Sequence, residues 1–300
     1  MIHIMDRGHR SSHLRSRFAA WGVARCAVLL VLLTLLVTST ADAQSRWGWG
    51  GGRSRRYPPK FPDSSVTPDR MFTFGRIMYT SVRGERGGYG WNTDYPAADY
   101  NFMWRLNELT AAGVSVDEHG KPNHVVVTLT DDRLFEYPFL FMSDVGTLGL
   151  TDDEAQRLAK YLLRGGFLWV DDFWGDLAWR QWTNEIGKAL PPDEYPIFDI
   201  TPEHPIYRVL YYVEKLPQIP SINHWRRTGG YGTSERGIES AEPHLRGIAD
   251  RNGRLMVLMT HNTDIADGWE REAEEYEYFY LFSSDAYAVG VNIVLYAMTH

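Results

Sequence analysis

Segments with a helical spacing of apolar residues alternate with short apolar runs from about residue 71 to residue 300. The clearest helix pattern opens the stretch 151–176. Thr151 and Glu154 have the spacing of a capping box, in which each residue satisfies a free backbone N–H at the start of a helix. An apolar stripe follows at helical spacing, formed by Ala155, Leu158 and Leu162. This stretch therefore predicts a capped amphipathic helix.

The same stretch predicts a strand with acidic residues at its end. Gly165-Gly166 supplies the left-handed turn that commonly ends a helix, and Phe167–Val170 is a short apolar run typical of a strand covered on both faces. Asp171 and Asp172 come next, at the carboxyl end of that strand. Open α/β sheets bind their ligands at this edge, so the two acids mark a candidate site.

The remaining patterns continue the alternation of strands and helices. Strands are predicted at Phe72–Tyr79, Asn123–Thr130, Tyr137–Met142 and Arg254–Thr260, and helices after Pro96, at Leu177–Leu190 and at Ala286–Met298 with Asp285 as its cap. This order predicts an α/β fold, a three-layer sandwich with a mostly parallel central sheet and helices on both faces. Residues 193–250 show no clear period and are predicted to form an irregular insertion or lid within a single domain 71–300.

The first 43 residues predict an export signal. Five arginines precede or flank an apolar core, Cys26–Val37, which is short for a membrane span, and Ala41-Asp42-Ala43 has the small-x-small form of a cleavage site. We therefore expect a periplasmic or extracellular protein without a membrane span after cleavage near Gln44. An uncleaved N-terminal membrane anchor is the alternative. Residues 44–70 are rich in Gly, Arg, Pro and Ser and predict a flexible linker.

Composition narrows the range of functions. Cys26 is the only cysteine and lies in the predicted signal, so the exported chain has no disulfide, thiolate metal site or cysteine nucleophile. The chain beyond residue 43 carries a net charge of about −10, which argues against a nucleic-acid partner or an anionic lipid surface. The 11 Trp and 17 Tyr residues fit either a sugar-binding protein or a well-packed aromatic core.

Several motifs in order along the chain resemble one family. The string Phe72-x-Phe74-x-Arg76-x-x-Tyr79 is followed by Trp91-x-Thr93-Asp94-Tyr95-Pro96 and Asn101-Phe102. Later come the Gly165-Gly166 to Asp171-Asp172 segment, His261-Asn262-x-Asp264, and Gly290-Val-Asn292 to Tyr296-Ala-Met-Thr299. Together they resemble the bacterial domain-of-unknown-function family 4159 over about residues 70–300.

This resemblance implies a flavodoxin-like fold similar to that of the class I glutamine amidotransferases. Those enzymes carry a cysteine on a tight turn after a central strand, and Asp171-Asp172 stand roughly at that place here. Because no cysteine is present there, we do not expect amidotransferase activity. The resemblance also implies a role in bacterial cell-envelope assemblies.

The first group of candidate site residues follows two predicted strands. Asp171 and Asp172 follow one strand, and His261, Asn262 and Asp264 follow the other, together with Asp267. At the common edge of a parallel sheet, carboxylates and an imidazole can bind a divalent cation or act as general acid and base. Their spacing is not diagnostic of a metal, so no metal ligands are assigned. Acids after strands also commonly cap helices or bind loop N–H groups.

The second group is the segment with Trp91, Asp94 and Tyr95, which precedes a predicted helix. Aromatic rings beside a carboxylate suit a polyhydroxylated ligand, whereas a helix cap packed on Trp91 is the structural alternative. Arg76 lies within the first predicted strand. A buried arginine needs a carboxylate partner, and Asp94 or Asp172 are the candidates.

These observations favour an exported binding or scaffold module of a cell-envelope system, with a carbohydrate or a cell-envelope protein as its partner. The alternative is a hydrolase that uses Asp171 or Asp172 with His261, with or without a metal, on a carbohydrate or peptide. The chain has no G-x-S-x-G, no phosphate-binding glycine loop and no H-E-x-x-H motif. No cofactor is indicated by the sequence.

Overall fold

The computed structural model describes residues 71–300. The predicted signal peptide 1–43 and linker 44–70 lie outside the described residues. Within residues 71–300 the centre of the structure is a seven-stranded sheet in the order β3-β1-β4-β6-β9-β8-β7. Its strands are β1 (Phe74–Ile77), β3 (His124–Val127), β4 (Phe139–Ser143), β6 (Phe167–Phe173), β7 (Phe198–Asp199), β8 (His244–Ala249) and β9 (Leu255–His261). A separate two-stranded sheet pairs β2 (Thr80–Ser81) with β5 (Leu148–Gly149).

Five of the seven strands are parallel, and β7 and β8 add an antiparallel edge. The helices are α1 (Ala97–Leu109), α2 (Asp152–Leu163), α3 (Gly175–Ala189), α4 (Ile222–Arg227), α5 (Ile265–Glu270), α6 (Tyr276–Tyr278) and α7 (Ser284–Thr299). A π-helical turn, Phe279–Ser283, joins the last two. The predicted α/β protein with a mostly parallel sheet flanked by helices is therefore confirmed.

The helix predicted from residues 151–162 forms as its sequence indicates. The Thr151 side chain accepts a hydrogen bond from the Glu154 N–H, and the Glu154 carboxylate accepts one from the Thr151 N–H, which completes the capping box. Gly165, with φ +112°, lies in the turn after the helix, a conformation that a Cβ would strain. Strand β6 follows, and all seven of its residues are buried. The helix therefore leads into the centre of the sheet.

Two apolar cores lie on opposite faces of the sheet because side chains alternate along each strand. On one face, α1, α5 and α7 cover an aromatic core that includes Phe74, Phe102, Phe141, Trp169 and Trp269. On the other face, α2 and α3 cover Leu140, Met142, Leu158, Val170 and Trp182. Both faces of the parallel strands are thus removed from water, as such strands require.

The order of the five parallel strands along the sheet is second, first, third, fourth and fifth in the chain. The helix after β1 packs on one face of the sheet, and the helix after β4 packs on the other. The winding therefore reverses between β1 and β4. In open α/β sheets, such a reversal leaves a crevice at the carboxyl ends of the strands, where ligands bind.

Residues 193–250 contain more regular structure than their sequence pattern predicts. The edge strands β7 and β8 and the short helix α4 lie in this segment. Strand β8 pairs with β9 over six residue pairs, from His244–His261 to Ala249–Leu255. The segment therefore completes the sheet as well as bordering its carboxyl edge.

The last helical run, Tyr276–Thr299, is long and apolar enough to cross a membrane by length and composition alone. However, 56% of its most apolar window is buried inside the domain. Helix α7 contributes Val291, Ile293 and Val294 to the aromatic core. Core helices have the same composition, so this run alone is weak evidence for a membrane span.

Candidate functional site

A cleft of about 840 Å³ lies at the carboxyl edge of the parallel strands. It is bordered by the loop 85–95 after β2, by residues that follow β4, β6 and β9, and by the segment 221–236. Its lining includes eight acidic residues and five arginines. The cleft therefore occupies the position at which the winding of the sheet predicts a ligand site.

Three aspartates form a compact group in this cleft, which we call the first triad: Asp94, Asp172 and Asp264. One carboxylate oxygen from each lies within 4.8 Å of the others, and all three carboxylates are buried. Asp172 is the penultimate residue of β6, Asp264 caps α5 after β9, and Asp94 lies in the turn before α1. Parallel strands bring the first two together, and the turn carries the third to the same edge.

The three carboxylates of the first triad differ in the hydrogen bonds that they accept. Asp172 Oδ1 accepts a hydrogen bond of 2.9 Å from the Trp174 indole N–H. Asp264 Oδ1 accepts one of 2.8 Å from the Asp267 N–H. Asp94 Oδ2 is buried and has no hydrogen-bond partner within residues 71–300. An unpaired buried carboxylate oxygen is costly, so this atom is the clearest sign of a missing ligand.

Burial raises the pKa of all three carboxyl groups well above the usual range, and mutual repulsion adds to the effect. For Asp172 the largest neighbouring charge is Asp144, for Asp264 it is Asp172, and for Asp94 it is Glu270. No ion pair found within residues 71–300 includes a member of the first triad. The group therefore binds protons or other cations more readily than isolated aspartates do.

Asp94 is also shared with a second group of acids, the second triad: Asp94, Asp267 and Glu270. Their carboxylate oxygens again lie within 4.8 Å of one another. Unlike the first triad, this one has a basic neighbour. Arg271 Nη2 lies 2.8 Å from Glu270 Oε2, and Arg271 Nε lies 3.6 Å from Asp267 Oδ1. Burial nevertheless raises the pKa of Glu270 to about 7.

A further acid, Asp144, lines the cleft directly after β4. Its Oδ2 accepts a 2.7 Å hydrogen bond from the Gly90 N–H, which ties the loop 85–95 to the end of the strand. Burial raises the pKa of Asp144 to about 7, and the nearby Glu85 contributes to the rise. Asp144 therefore positions one wall of the cleft and adds to its negative charge.

The backbone at this edge adopts an uncommon conformation at four positions. Asp94, Asp144, Asp172 and Asn262 have φ between 52° and 63°, and they are the non-glycine residues with positive φ within residues 71–300. Asp and Asn tolerate this left-handed region better than other side-chain-bearing residues. Such conformations concentrate at functional sites, and here three of the four residues line the cleft.

Asp171, although adjacent to Asp172, does not line the cleft. Its Oδ1 accepts a hydrogen bond of 2.6 Å from the Thr260 hydroxyl, and its Oδ2 accepts one of 2.9 Å from the Ala266 N–H. Asp171 is fully buried in the layer beneath α5. The structure therefore gives it a structural position, in which it connects β6 with the start of α5.

His261 also lies away from the cleft. Its ring packs 4.8 Å from the ring of Phe173 and 5.0 Å from that of Trp179, on the α3 side of the sheet. Its Nδ1 lies 3.1 Å from Nη1 of Arg246. Burial lowers the pKa of His261 to about 3, and the Arg246 charge adds to the change. The structure thus separates His261 from Asp172, with which the sequence grouped it.

The other predicted ligand-binding residues have mixed positions. Asn262 is buried, where its Oδ1 accepts a bond from the Gly175 N–H and its Nδ2 donates to the Glu242 carbonyl. Tyr95 lines the cleft, but Trp91 does not. The Trp91 ring packs 5.6 Å from that of Tyr95. Of the predicted residues, Asp94, Tyr95, Asp172, Asp264 and Asp267 therefore meet in one cleft.

The partner of Arg76 differs from the one expected from the sequence. Arg76 Nε lies 3.0 Å from both carboxylate oxygens of Asp99, and both side chains are fully buried. The prediction that Asp94 or Asp172 pairs with Arg76 is wrong. The reason is that the first turn of α1 places Asp99 against β1. Asp94 and Asp172 therefore lack the cation that the sequence predicts for one of them.

Four acids of the cleft are not identified as ligand candidates by the sequence: Glu85, Asp144, Glu235 and Glu270. A signal for Asp144 is present, because it lies two residues beyond the end of a predicted strand, as Asp172 does. For Glu270 the sequence predicts an exposed acidic segment. Its side chain is instead directed into the cleft by the short helix α5.

The sequence was also compared with known proteins. The family model described as Domain of unknown function (DUF4159) matches residues 73–298, which is almost the entire described part of the chain. No curated protein matched the chain.

Proposed function

We propose that this chain, which belongs to the family Domain of unknown function (DUF4159), is a binding domain that holds a divalent cation between Asp94, Asp172 and Asp264. The observation that carries the proposal is the first triad itself. Three buried carboxylates approach within 4.8 Å without a basic partner, and one of their oxygens lacks any hydrogen bond within residues 71–300. Buried charges require such a partner or a metal ion.

The donor set defines the kind of cation. The first triad offers only oxygen ligands, which suit the hard cations Mg²⁺, Ca²⁺ and Mn²⁺ rather than zinc or copper. Three carboxylates leave coordination positions for water or for an oxygen of a ligand, and the triad opens onto a cleft of about 840 Å³. A cation at this place would anchor a ligand to the floor of the cleft.

The fold supports the position of this site. The order of the parallel strands supports a flavodoxin-like arrangement, and the site lies at the edge where open α/β sheets bind ligands. We infer that the domain is of the amidotransferase-like kind and that Asp172 takes the place of the nucleophile. Its positive φ at the end of β6 supports this inference. A carboxylate at that position changes the site from covalent chemistry to cation binding.

The ligand beyond the cation is inferred from the walls of the cleft and from the predicted export. Tyr89 lines the cleft and is 79% exposed, so its ring is free to stack on a sugar. A carbohydrate or a protein of the cell envelope is therefore our proposed partner. A metal-assisted hydrolase remains the second candidate, because a divalent cation in this cleft can activate a bound water. His261 would have no part in it.

Isothermal titration calorimetry with Mg²⁺, Ca²⁺ and Mn²⁺ tests the proposal. Concentrations up to about 10 mM cover the weak affinities of extracellular calcium modules. We expect the purified protein to bind one of these cations, and Asp172→Asn and Asp264→Asn to bind it at least tenfold more weakly. Both substitutions can keep the hydrogen bond accepted by Oδ1. The matched control is Asp176→Asn, an exposed acid in the first turn of α3.

Two results would overturn the cation site. One is the absence of binding by the wild-type protein at these concentrations. The other is equal affinity in wild type, Asp172→Asn and Asp264→Asn, which would place any bound cation elsewhere. Circular dichroism of each variant shows whether the fold is retained.

A further inference from the structure

The two triads described above meet at a single side chain. A carboxylate oxygen of Asp94 lies within 4.8 Å of oxygens of Asp172 and Asp264 in the first triad and of Asp267 and Glu270 in the second. A carboxylate has two oxygens and about four lone-pair sites, so one aspartate can contact two cations at once. Asp94 Oδ2 is buried without a hydrogen-bond partner within residues 71–300. It is thus free to serve as a shared ligand.

Arg271 pairs with the second triad only in part. Its Nη2 lies 2.8 Å from Glu270 Oε2, yet this contact lacks hydrogen-bond geometry, and Glu270 Oε2 has no other hydrogen-bond partner within residues 71–300. Arg271 Nε is likewise buried without a hydrogen-bond acceptor there. The firmest contact of the guanidinium is elsewhere, because Nη1 donates to Glu274 Oε1 over 2.7 Å. Arg271 can therefore stay on Glu274 while Glu270 takes another partner.

Asp267 uses one carboxylate oxygen in hydrogen bonds, whereas no hydrogen bond to the other is found within residues 71–300. Its Oδ2 accepts hydrogen bonds from the Ile222 N–H at 2.8 Å and from the Tyr278 hydroxyl at 2.9 Å. These bonds fix the carboxylate in place. Its Oδ1 lies 3.6 Å from Arg271 Nε, which is too long for a hydrogen bond. A prepositioned carboxylate with a free oxygen is suited to bind a cation.

The formal charge of the two triads also favours a second cation. The two triads together contain five carboxylates, and Arg271 is the basic side chain within ion-pair distance of them among the described residues. Because Arg271 is also paired with Glu274, one divalent cation would leave a formal charge of −3 on the five carboxylates. Two divalent cations would reduce it to −1, and buried charge is tolerated when it is closely balanced.

We propose that a second divalent cation binds between Asp94, Asp267 and Glu270, so that Asp94 bridges two cations. This inference rests on the proposed function, because it extends the same site. Paired cations a few ångströms apart can hold one ligand oxygen between them and activate a bound water. The site would therefore take a ligand with an anionic or strongly polar oxygen, such as a phosphate or carboxylate group.

The number of bound Mn²⁺ ions tests this inference directly. Native mass spectrometry and calorimetry of the purified full-length protein are expected to give two ions, and electron paramagnetic resonance is expected to show coupling between them. Glu270→Gln should retain one ion and lose the coupling. Glu274→Gln is the matched control, since Glu274 also pairs with Arg271 but belongs to neither triad. It should retain both ions.

The outcomes separate this inference from the function on which it rests. One ion in wild type that persists in Glu270→Gln would overturn the second cation and leave the first. Two ions that both persist in Glu270→Gln would overturn its assigned position. No bound ion in the wild-type protein would overturn both proposals. The wild-type count decides between one and two ions even if a variant does not fold.

Discussion

Replacing Asp172 by asparagine is expected to stabilise the cation-free protein. The substitution removes one negative charge from the first triad and little else. The amide oxygen of the introduced asparagine can still accept the hydrogen bond from the Trp174 indole N–H, and asparagine tolerates the left-handed backbone at this position. The change in stability therefore reports the repulsion within the triad.

The size of the effect follows from the geometry. At 4.8 Å or less, two unit charges repel each other by about 3.5 kcal/mol at an effective dielectric constant of about 20. Asp172 has two such neighbours in Asp94 and Asp264. Protonation of one carboxyl group limits the repulsion, and it costs roughly 4 kcal/mol at pH 7 for a group with an ordinary pKa. We therefore expect a gain of about 2–4 kcal/mol in the free energy of unfolding.

Differential scanning calorimetry at pH 8 with EDTA measures this gain. For a domain of this size, the expected rise in Tm is roughly 5–15 °C. A saturating divalent cation should reverse the order and make the wild-type protein the more stable one, because only its triad is complete. Asp176→Asn should have the same Tm as the wild-type protein, both in EDTA and with the cation. An Asp172→Asn protein that is less stable than wild type in EDTA at pH 8 would refute the repulsion on which the proposed site depends.

Three further outcomes follow from the buried charges. The cation-free protein should lose stability as the pH rises from about 4 through about 7, because buried carboxyl groups with raised pKa values keep protons that the unfolded chain releases. Urea unfolding at a series of pH values measures this loss, and a free energy of unfolding that does not change with pH would contradict it. Asp99→Ala should cost about 3–5 kcal/mol, because it leaves Arg76 buried without its partner. By contrast, Asp132→Ala, at a fully exposed carboxylate, should leave the free energy of unfolding nearly unchanged in the same assay. Asp171→Asn should lower Tm, because its amide N–H₂ would face a donor such as the Ala266 N–H. The same substitution should leave the cation affinity measured by calorimetry unchanged, and weaker cation binding would place Asp171 in the site.

Much of the architecture could be predicted because local signals and burial agree. The capping box at Thr151 and the apolar run after Gly166 predict one helix and one strand close to their observed positions. The antiparallel edge strands were missed. Strand β8 contains polar and charged residues at His244 and Arg246, so the expected apolar run is interrupted. Edge strands with one partly exposed face need not be apolar throughout.

The candidate site was only partly predictable because the direction of a side chain depends on where a strand ends. Strand β9 continues through His261, and residues alternate between the faces of a sheet. Thr260 therefore bonds Asp171 on one face, whereas His261 packs on Phe173 on the other. A strand that ends one residue earlier would leave His261 free to join Asp172. Sequence patterns do not fix strand ends this closely.

The sequence contains a signal for the partner of Arg76. Asp99 shares the buried stripe of α1 with Phe102, Met103 and Leu106, at the spacing of one helix face. An acid on an apolar stripe requires a buried basic partner, and Arg76 on β1 is such a residue. The acids of the cleft gave no comparable signal, because turns and loops, rather than a periodic element, bring them together.

The left-handed backbone at Asp94, Asp144 and Asp172 restricts which amino acids these positions accept. Glycine, asparagine and aspartate fit that conformation, whereas the longer and branched side chains strain it. A single-nucleotide change converts an aspartate codon into one for asparagine or glycine, so mutation alone could remove the negative charges while the fold persists. The backbone therefore narrows the choice to three residues, and among these only aspartate supplies a charge. An acid at Asp94 and Asp172 is what selection for cation binding, rather than for folding, would retain, whereas Asp144 also holds the Gly90 N–H.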